Sequence, residues 1–122
     1  MMGVLVTGAT TWTDLDALRR EFLLLPKGSV IVTGDTPGVD AGAMRVAAAF
    51  GLQVESMKKN RADASAYPGA SWKGLNERML ASGIDLVLAF HADYGKPGFA
   101  RGTGHAISLA EEAGVAVRIF RR

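Results

Sequence analysis

Val30-Ile31-Val32-Thr33-Gly34-Asp35-Thr36-Pro37-Gly38-Val39-Asp40 decides the fold. A β-branched apolar run, which suits a pleated and buried surface, stops at a turn carrying Gly, Asp and Pro. The turn opens into an Ala-rich segment, so the stretch reads as strand, loop and helix. Such a junction can hold a phosphate. Glycine lets the backbone approach, and the free N–H groups of a helix start point toward the anion. Taken alone, a loop whose glycines only make the bend is the plainer reading. Repetition gives the stretch its weight, because strand, glycine and helix recur on both sides of it.

Toward the N-terminus, Val4-Leu5-Val6-Thr7 is a short apolar strand ended by Gly8. After a loop over 9–13, Thr13, Asp14 and Asp16 look like an acidic helix start, and Leu15, Leu18, Phe22 and Leu25 follow at helical spacing. Beyond the opening stretch, a helix over 39–50 ends at Gly51, and a more polar strand over 52–57 fits a sheet edge. Residues 58–72 are the least regular part of the chain, and a loop of that length in a compact domain is usually functional or mobile. A helix over 73–82 turns Leu75, Met79 and Leu80 inward, and 84–90 is a nearly continuous apolar strand. A second Gly-rich turn, Arg101-Gly102-Thr103-Gly104, leads to a helix over 103–113 and a last strand over 115–120. Five strands alternating with four helices predict one α/β domain over 1–122, with a parallel sheet between helical layers.

The totals narrow the function. At 122 residues, 48% hydrophobic and 21% charged, the chain has the composition of a globular domain with one core. Fourteen Lys and Arg against twelve Asp and Glu leave +2, and the positive charges are scattered apart from Lys58-Lys59-Asn60-Arg61 and Arg121-Arg122. Nucleic-acid proteins carry a denser basic stripe, so nucleic acid is not an expected partner. With no cysteine there is no disulfide, thiolate nucleophile or Cys-ligated metal. Met1-Met2-Gly3 runs straight into a strand and no apolar stretch nears a membrane span, so a cytoplasmic chain without a membrane partner is expected.

In an open parallel sheet, ligands bind outside the carboxyl ends of the strands, where strand order reverses. The loops there supply the candidate ligand-binding residues: Gly8 and Thr10 in the first, and Gly34, Asp35, Thr36, Gly38 and Asp40 in the second. Arg101, Gly102 and Thr103 follow from the later Gly-rich turn, and Asn76 from an otherwise inward-facing helix position. Backbone N–H groups, hydroxyls and one cation suit a nucleotide or another phosphorylated small molecule. One helix N-terminus contributes only ~0.3–1 kcal/mol toward an exposed anion, so several must converge. There is no G-x-G-x-x-G and no G-x-x-x-x-G-K-[ST], which argues against a dehydrogenase or an ATPase, and no cofactor is expected.

Several residues admit two readings. Asp40 either caps its helix, or orients the loop, or accepts hydrogen bonds from a ribose or base; it is also the candidate general base or nucleophile, with Asp35 or His91 as second choices. Asn76 is either a satisfied amide or a ligand contact. Trp12 and Trp72 either stack on a base or fill core. Lys58, Lys59 and Arg61 form a solvated face or line the pocket mouth. His91, Asp93 and His105 match no familiar metal spacing, and no metal is expected.

In order, VLVTGAT, VIVTGDTPGVDAGA, N-x-x-M-L over 76–80, DLVLAF and ARGTGHAISLAEEAGVAV resemble the SLOG superfamily of Rossmann-like nucleotide-binding domains. Within it the chain is most similar to the small YspA-like proteins, often found in bacteriophages and mobile elements. The resemblance covers nearly the whole chain. It implies a three-layer sandwich with strand order 3-2-1-4-5, a pocket above strands one, two and four, and homo-oligomers. By position, Gly8, Gly34, Gly38, Asp40, Asn76, Arg101, Gly102 and Thr103 fall on the family's motifs.

The departures are equally specific. Relatives commonly carry G-G-x-R-G-x-D in the second loop, where this chain has Asp35 at the second Gly and Pro37 at the Arg. Thr10 stands where many relatives have Arg. The LOG-type phosphoribohydrolases, distant relatives as is DprA, carry G-G-x-G-T-x-x-E, and Ala106 occupies the position of that Glu. The resemblance therefore implies binding of a nucleotide-derived small molecule, ADP-ribose-like or a cyclic nucleotide. The role would be that of a sensor or, in a virus, of a sponge for an immune signal in the host cytoplasm. Cleavage of a nucleoside phosphate, as an N-glycosidase or phosphohydrolase, is the alternative.

Overall fold

Ten elements follow one another in the computed structural model, which describes residues 2–122. They are β1 (Gly3–Gly8), α1 (Leu15–Phe22), β2 (Val30–Thr33), α2 (Val39–Ala49) and β3 (Gln53–Ser56), then α3 (Arg61–Ala66), α4 (Ser71–Ala81), β4 (Leu86–Phe90), α5 (Arg101–Glu112) and β5 (Ala116–Phe120). The strands form one sheet in the order β3-β2-β1-β4-β5, and every pairing is parallel. The all-parallel sheet is the one expected from the alternation of strand and helix, and its Rossmann-like strand order is the one that the resemblance implies.

The period-2 alternation of strands sorts β1 onto two cores. Val4 and Val6 pack with Leu18, Phe22, Ala43 and Val46 of α1 and α2. Leu5 faces the other way, with Leu75 and Met79 of α4 and Ala110 of α5. All five residues of β4 are buried, as a strand covered on both faces requires. β3 exposes Gln53, Glu55 and Ser56, consistent with its place at the sheet edge. On α2 the small residues Gly42, Ala43 and Ala47 are buried, whereas Ala48 and Ala49 face outward.

Asp14 caps α1 through its side chain, accepting from the N–H groups of Asp16 and Ala17. That satisfies donors which would otherwise be orphaned.

Two helix starts differ from expectation, and one element is new. α4 begins at Ser71 and α5 at Arg101, so the second Gly-rich turn is the first turn of a helix. Residues 58–72, expected to be irregular, contain α3. Its N-cap Asn60 and Asp63 close a capping box at 2.9 Å in each direction. The Asp63 carboxylate then receives the Arg78 guanidinium of α4 at 3.0 Å from Nε and 2.7 Å from a terminal nitrogen. Gly74 makes room for this, since a Cβ there would lie 2.7 Å from Asp63 Oδ1. α3 therefore packs on α4.

Among the described residues no helix is long and apolar enough to cross a membrane.

Candidate functional site

From β1 the chain builds outward to β2 and β3, then crosses to β4 on the other side, so strand order reverses between β1 and β4. A cavity of about 440 Å³ opens there, within the ~300–1,000 Å³ range of small-molecule sites. Its floor is the end of β1, Val6 to Gly8. Gly8 is required by close approach, because a Cβ would run into the Phe90 carbonyl and lie 2.6 Å from Val39 Cγ2.

The β2–α2 loop forms one wall, and Asp40 organises it. Asp40 Oδ2 accepts from the Thr36 hydroxyl at 2.7 Å and from the Thr36 N–H at 3.2 Å. Oδ1 lies 2.8 Å from the buried Thr33 hydroxyl, which also lies 2.9 Å from the Val6 carbonyl and has one proton to share between them. Gly34 lets the carboxylate fold back, since its Cβ would be 2.7 Å from Asp40 Oδ2. Asp40 does not cap α2. The N-cap is Gly38, with no side-chain cap bond.

Of the eleven candidate ligand-binding residues, Gly38 alone does not line the cavity. At φ 78° it occupies the left-handed region, and a Cβ would strike the backbone of Ala9 and Thr10. Its role is to let the first two loops interlock, with Val39 N–H donating to Ala9 O at 3.1 Å. Thus the start of α2, the stretch expected to cradle phosphate, already has one N–H engaged. Asp35 stands exposed beside it on the cavity wall with no partner among the described residues.

The start of α5 is different. Ala100, the N-cap, is the one non-glycine residue with positive φ, at 56°, among the described residues. Strain of this kind costs on the order of 1–3 kcal/mol and gathers at ligand sites. No side chain caps the helix, so the first N–H groups over Arg101, Gly102 and Thr103 remain available beside the cavity. Arg101 is exposed and has no ion-pair or hydrogen-bond partner among the described residues. Positive charge and open donors are therefore concentrated at α5.

Asn76 ties α4 to this helix. Its Nδ2 donates to Gly102 O at 3.1 Å and approaches His105 Nδ1 at 3.2 Å. Both amide protons are thereby placed, and Oδ1 is left as an acceptor at the cavity, which Asn76 lines. Burial pushes the His105 imidazole below its ordinary range and Lys73 adds to this, while Glu77 and Glu112 act in the opposite sense. The unprotonated Nδ1 that Asn76 needs is thus favoured.

Part of the lining comes from residues that the sequence left between two readings: Lys59, Trp72 and His91 line this cavity, whereas Lys58, Arg61 and Trp12 do not. Lys59 lies at the cavity because α3 fixes the chain around it, and Trp72 because α4 begins one residue before it. Trp72 packs edge-on to His105, ring centroids 5.5 Å apart, and Lys73 Nζ lies 5.5 Å from the indole centroid. His91 and Ala100 complete the rim. The Asn60-x-x-Asp63 box before Arg61 was the available signal for α3. Among the described residues no group of three or more His, Asp or Glu is placed to hold a metal.

No model of a known protein family matches this chain, and no curated protein matches it in sequence.

Proposed function

We propose that this protein binds a nucleotide-derived small molecule, ADP-ribose-like or a cyclic nucleotide, as a SLOG-type domain would, in the cavity between β1, β2 and β4. The observation that carries this reading is the pairing of Arg101, without a partner among the described residues, with a helix start that no side chain among them caps, on one wall. Facing them is a carboxylate, Asp35, on the other. Phosphate suits the α5 side. Hydroxyl or amino donors of a ribose or base suit Asp35 and Asn76 Oδ1, and Trp72 offers a stacking surface. Such a protein serves as a sensor or, if viral, as a sponge for a nucleotide signal.

Turnover is the competing reading, and Asp40 is its candidate base. Both Asp40 oxygens are already engaged with Thr33 and Thr36, which favours a positioning role over attack or proton abstraction. Isothermal titration against ADP-ribose and cyclic nucleotides tests binding. Arg101→Ala should weaken it by about tenfold to a hundredfold, the loss of one charge-assisted hydrogen bond. No binding to any of them removes the proposal. Free base released from a nucleoside monophosphate, and lost in Asp40→Asn, would establish the hydrolase instead.

Association of copies belongs to the same proposal. Leu23 and Leu24, 72% and 69% exposed beyond α1, are the apolar pair we assign to it. Light scattering of Leu24→Lys against the wild type should show a lower mass.

A further inference from the structure

A second cavity of about 280 Å³ lies beside the first, and Ala9 and His91 line both. These two residues form a ridge fixed from several sides. Ala9 N–H donates to Phe90 O at 3.0 Å, and His91 N–H donates to Phe120 O at 2.9 Å. His91 Nδ1 accepts the Asp93 N–H at 3.1 Å, which leaves the ring proton on Nε2 as a donor without a partner among the described residues. The N–H groups of Thr10 and Thr11, next along the loop, are likewise unpaired among the described residues. The ridge therefore presents donors, the chemistry that a phosphate linkage accepts.

Beyond the ridge the second cavity changes character. Trp12 forms its aromatic wall, held edge-on to Phe90 at 5.7 Å between centroids and by its indole N–H to Asp14 O at 2.8 Å. Thr11, Thr13 and Asp14 supply hydroxyls and a carboxylate, and Arg122 closes the far side. An immobilised indole beside hydrogen-bonding groups suits a nucleobase with its sugar.

We propose that the ligand is bipartite: two nucleoside units joined through phosphate, one in each cavity, with the linkage crossing the Ala9–His91 ridge. This rests on the nucleotide reading above and adds the second subsite. A mononucleotide fills the first cavity and leaves Trp12 unused. The two-unit ligand engages Arg101 on one side of the ridge and the Trp12 face on the other.

Calorimetry with the full chain tests it, using NAD, diadenosine diphosphate and cyclic di-AMP, each against AMP. At least one two-unit ligand should bind about tenfold to a hundredfold tighter than AMP, the contribution of a stacked second base. Thr11→Trp, at an exposed loop position, should crowd the second cavity and reduce that ligand to the affinity of AMP while leaving AMP unchanged. Trp12→Leu should give the same selective loss, and Arg101→Ala should weaken both classes. AMP binding as tightly as every two-unit ligand overturns this proposal alone. Equal losses for both classes in Thr11→Trp and Trp12→Leu do the same. No binding of any nucleotide overturns this proposal together with the nucleotide reading beneath it.

Discussion

At the residue scale, position along the chain and role in the site come apart. Asp40, the residue whose sequence context suggests chemistry, is spent on holding Thr33 and Thr36. Removing a carboxylate that accepts such bonds costs on the order of 2 kcal/mol, so Asp40→Ala should lower the melting temperature of the ligand-free protein. Unchanged melting would show that the loop is held by other contacts. Gly38→Ala should be at least as damaging, since it adds a Cβ both at φ 78° and against the Ala9 and Thr10 backbone. His105 acts through Asn76. Its folded-state value is lowered, so the unfolded chain takes up the proton first as pH falls. The stability it contributes is whole above the ordinary value of 6.5 and is lost progressively below it. Protonated Nδ1 would then face the Asn76 amide protons, donor against donor. Melting temperature followed from pH 7.5 down to pH ~5.5 should fall, and His105→Gln should remove that part of the slope. An identical slope in His105→Gln would assign it to other groups.

At the element scale, the strands and four of the helices were legible because local signals and tertiary needs coincide. Short β-branched runs ended by Gly8, Gly34 and Gly51-terminated helices mark a βα alternation that only a parallel sheet accommodates. α3 was not legible. Six residues with no apolar stripe give no periodicity, and what holds the helix is an ion pair with Arg78, fifteen residues away. The site shows the same division. Its glycines and Arg101 were readable from the loops, whereas Lys59 and Trp72 arrive only through α3 and the earlier start of α4. A consequence follows for α3. Arg78 holds the Asp63 carboxyl below its usual range through a hydrogen bond, so the docking is complete above the ordinary value of 3.8 and fails as pH falls below it. Arg78→Met removes the cation at neutral pH. Amide exchange should then rise across 61–66 while α1 and α2 keep their protection, and Lys59 should lose its place at the cavity. Uniform loss of protection across the chain would mean that α3 is integral to the core.

At the scale of the whole molecule, a sheet with every strand parallel gathers all the strand–helix loops at one end. The cavity there joins two halves of the fold: the loops after β1 and β2 on one side, and the start of α5 with Asn76 of α4 on the other. A ligand held by both halves resists their separation, so its binding energy appears as global stability. At a hundredfold excess over Kd that is about 2.7 kcal/mol, or a rise in melting temperature of roughly 10 °C for a domain of this size. Arg101 separates this effect from intrinsic stability. It is exposed and without a partner among the described residues, so Arg101→Ala should leave the ligand-free melting temperature within the small range of surface substitutions, ~0.5 kcal/mol. At the same ligand concentration a tenfold weaker complex retains about 1.4 kcal/mol less stabilisation, which is close to half of the thermal shift. Asp40→Ala should behave in the opposite order, lowering the ligand-free transition first. Thermal scans of the three proteins with and without ADP-ribose distinguish the two roles. A ligand-free loss in Arg101→Ala would make Arg101 structural, and an undiminished shift in that variant would place the anion elsewhere.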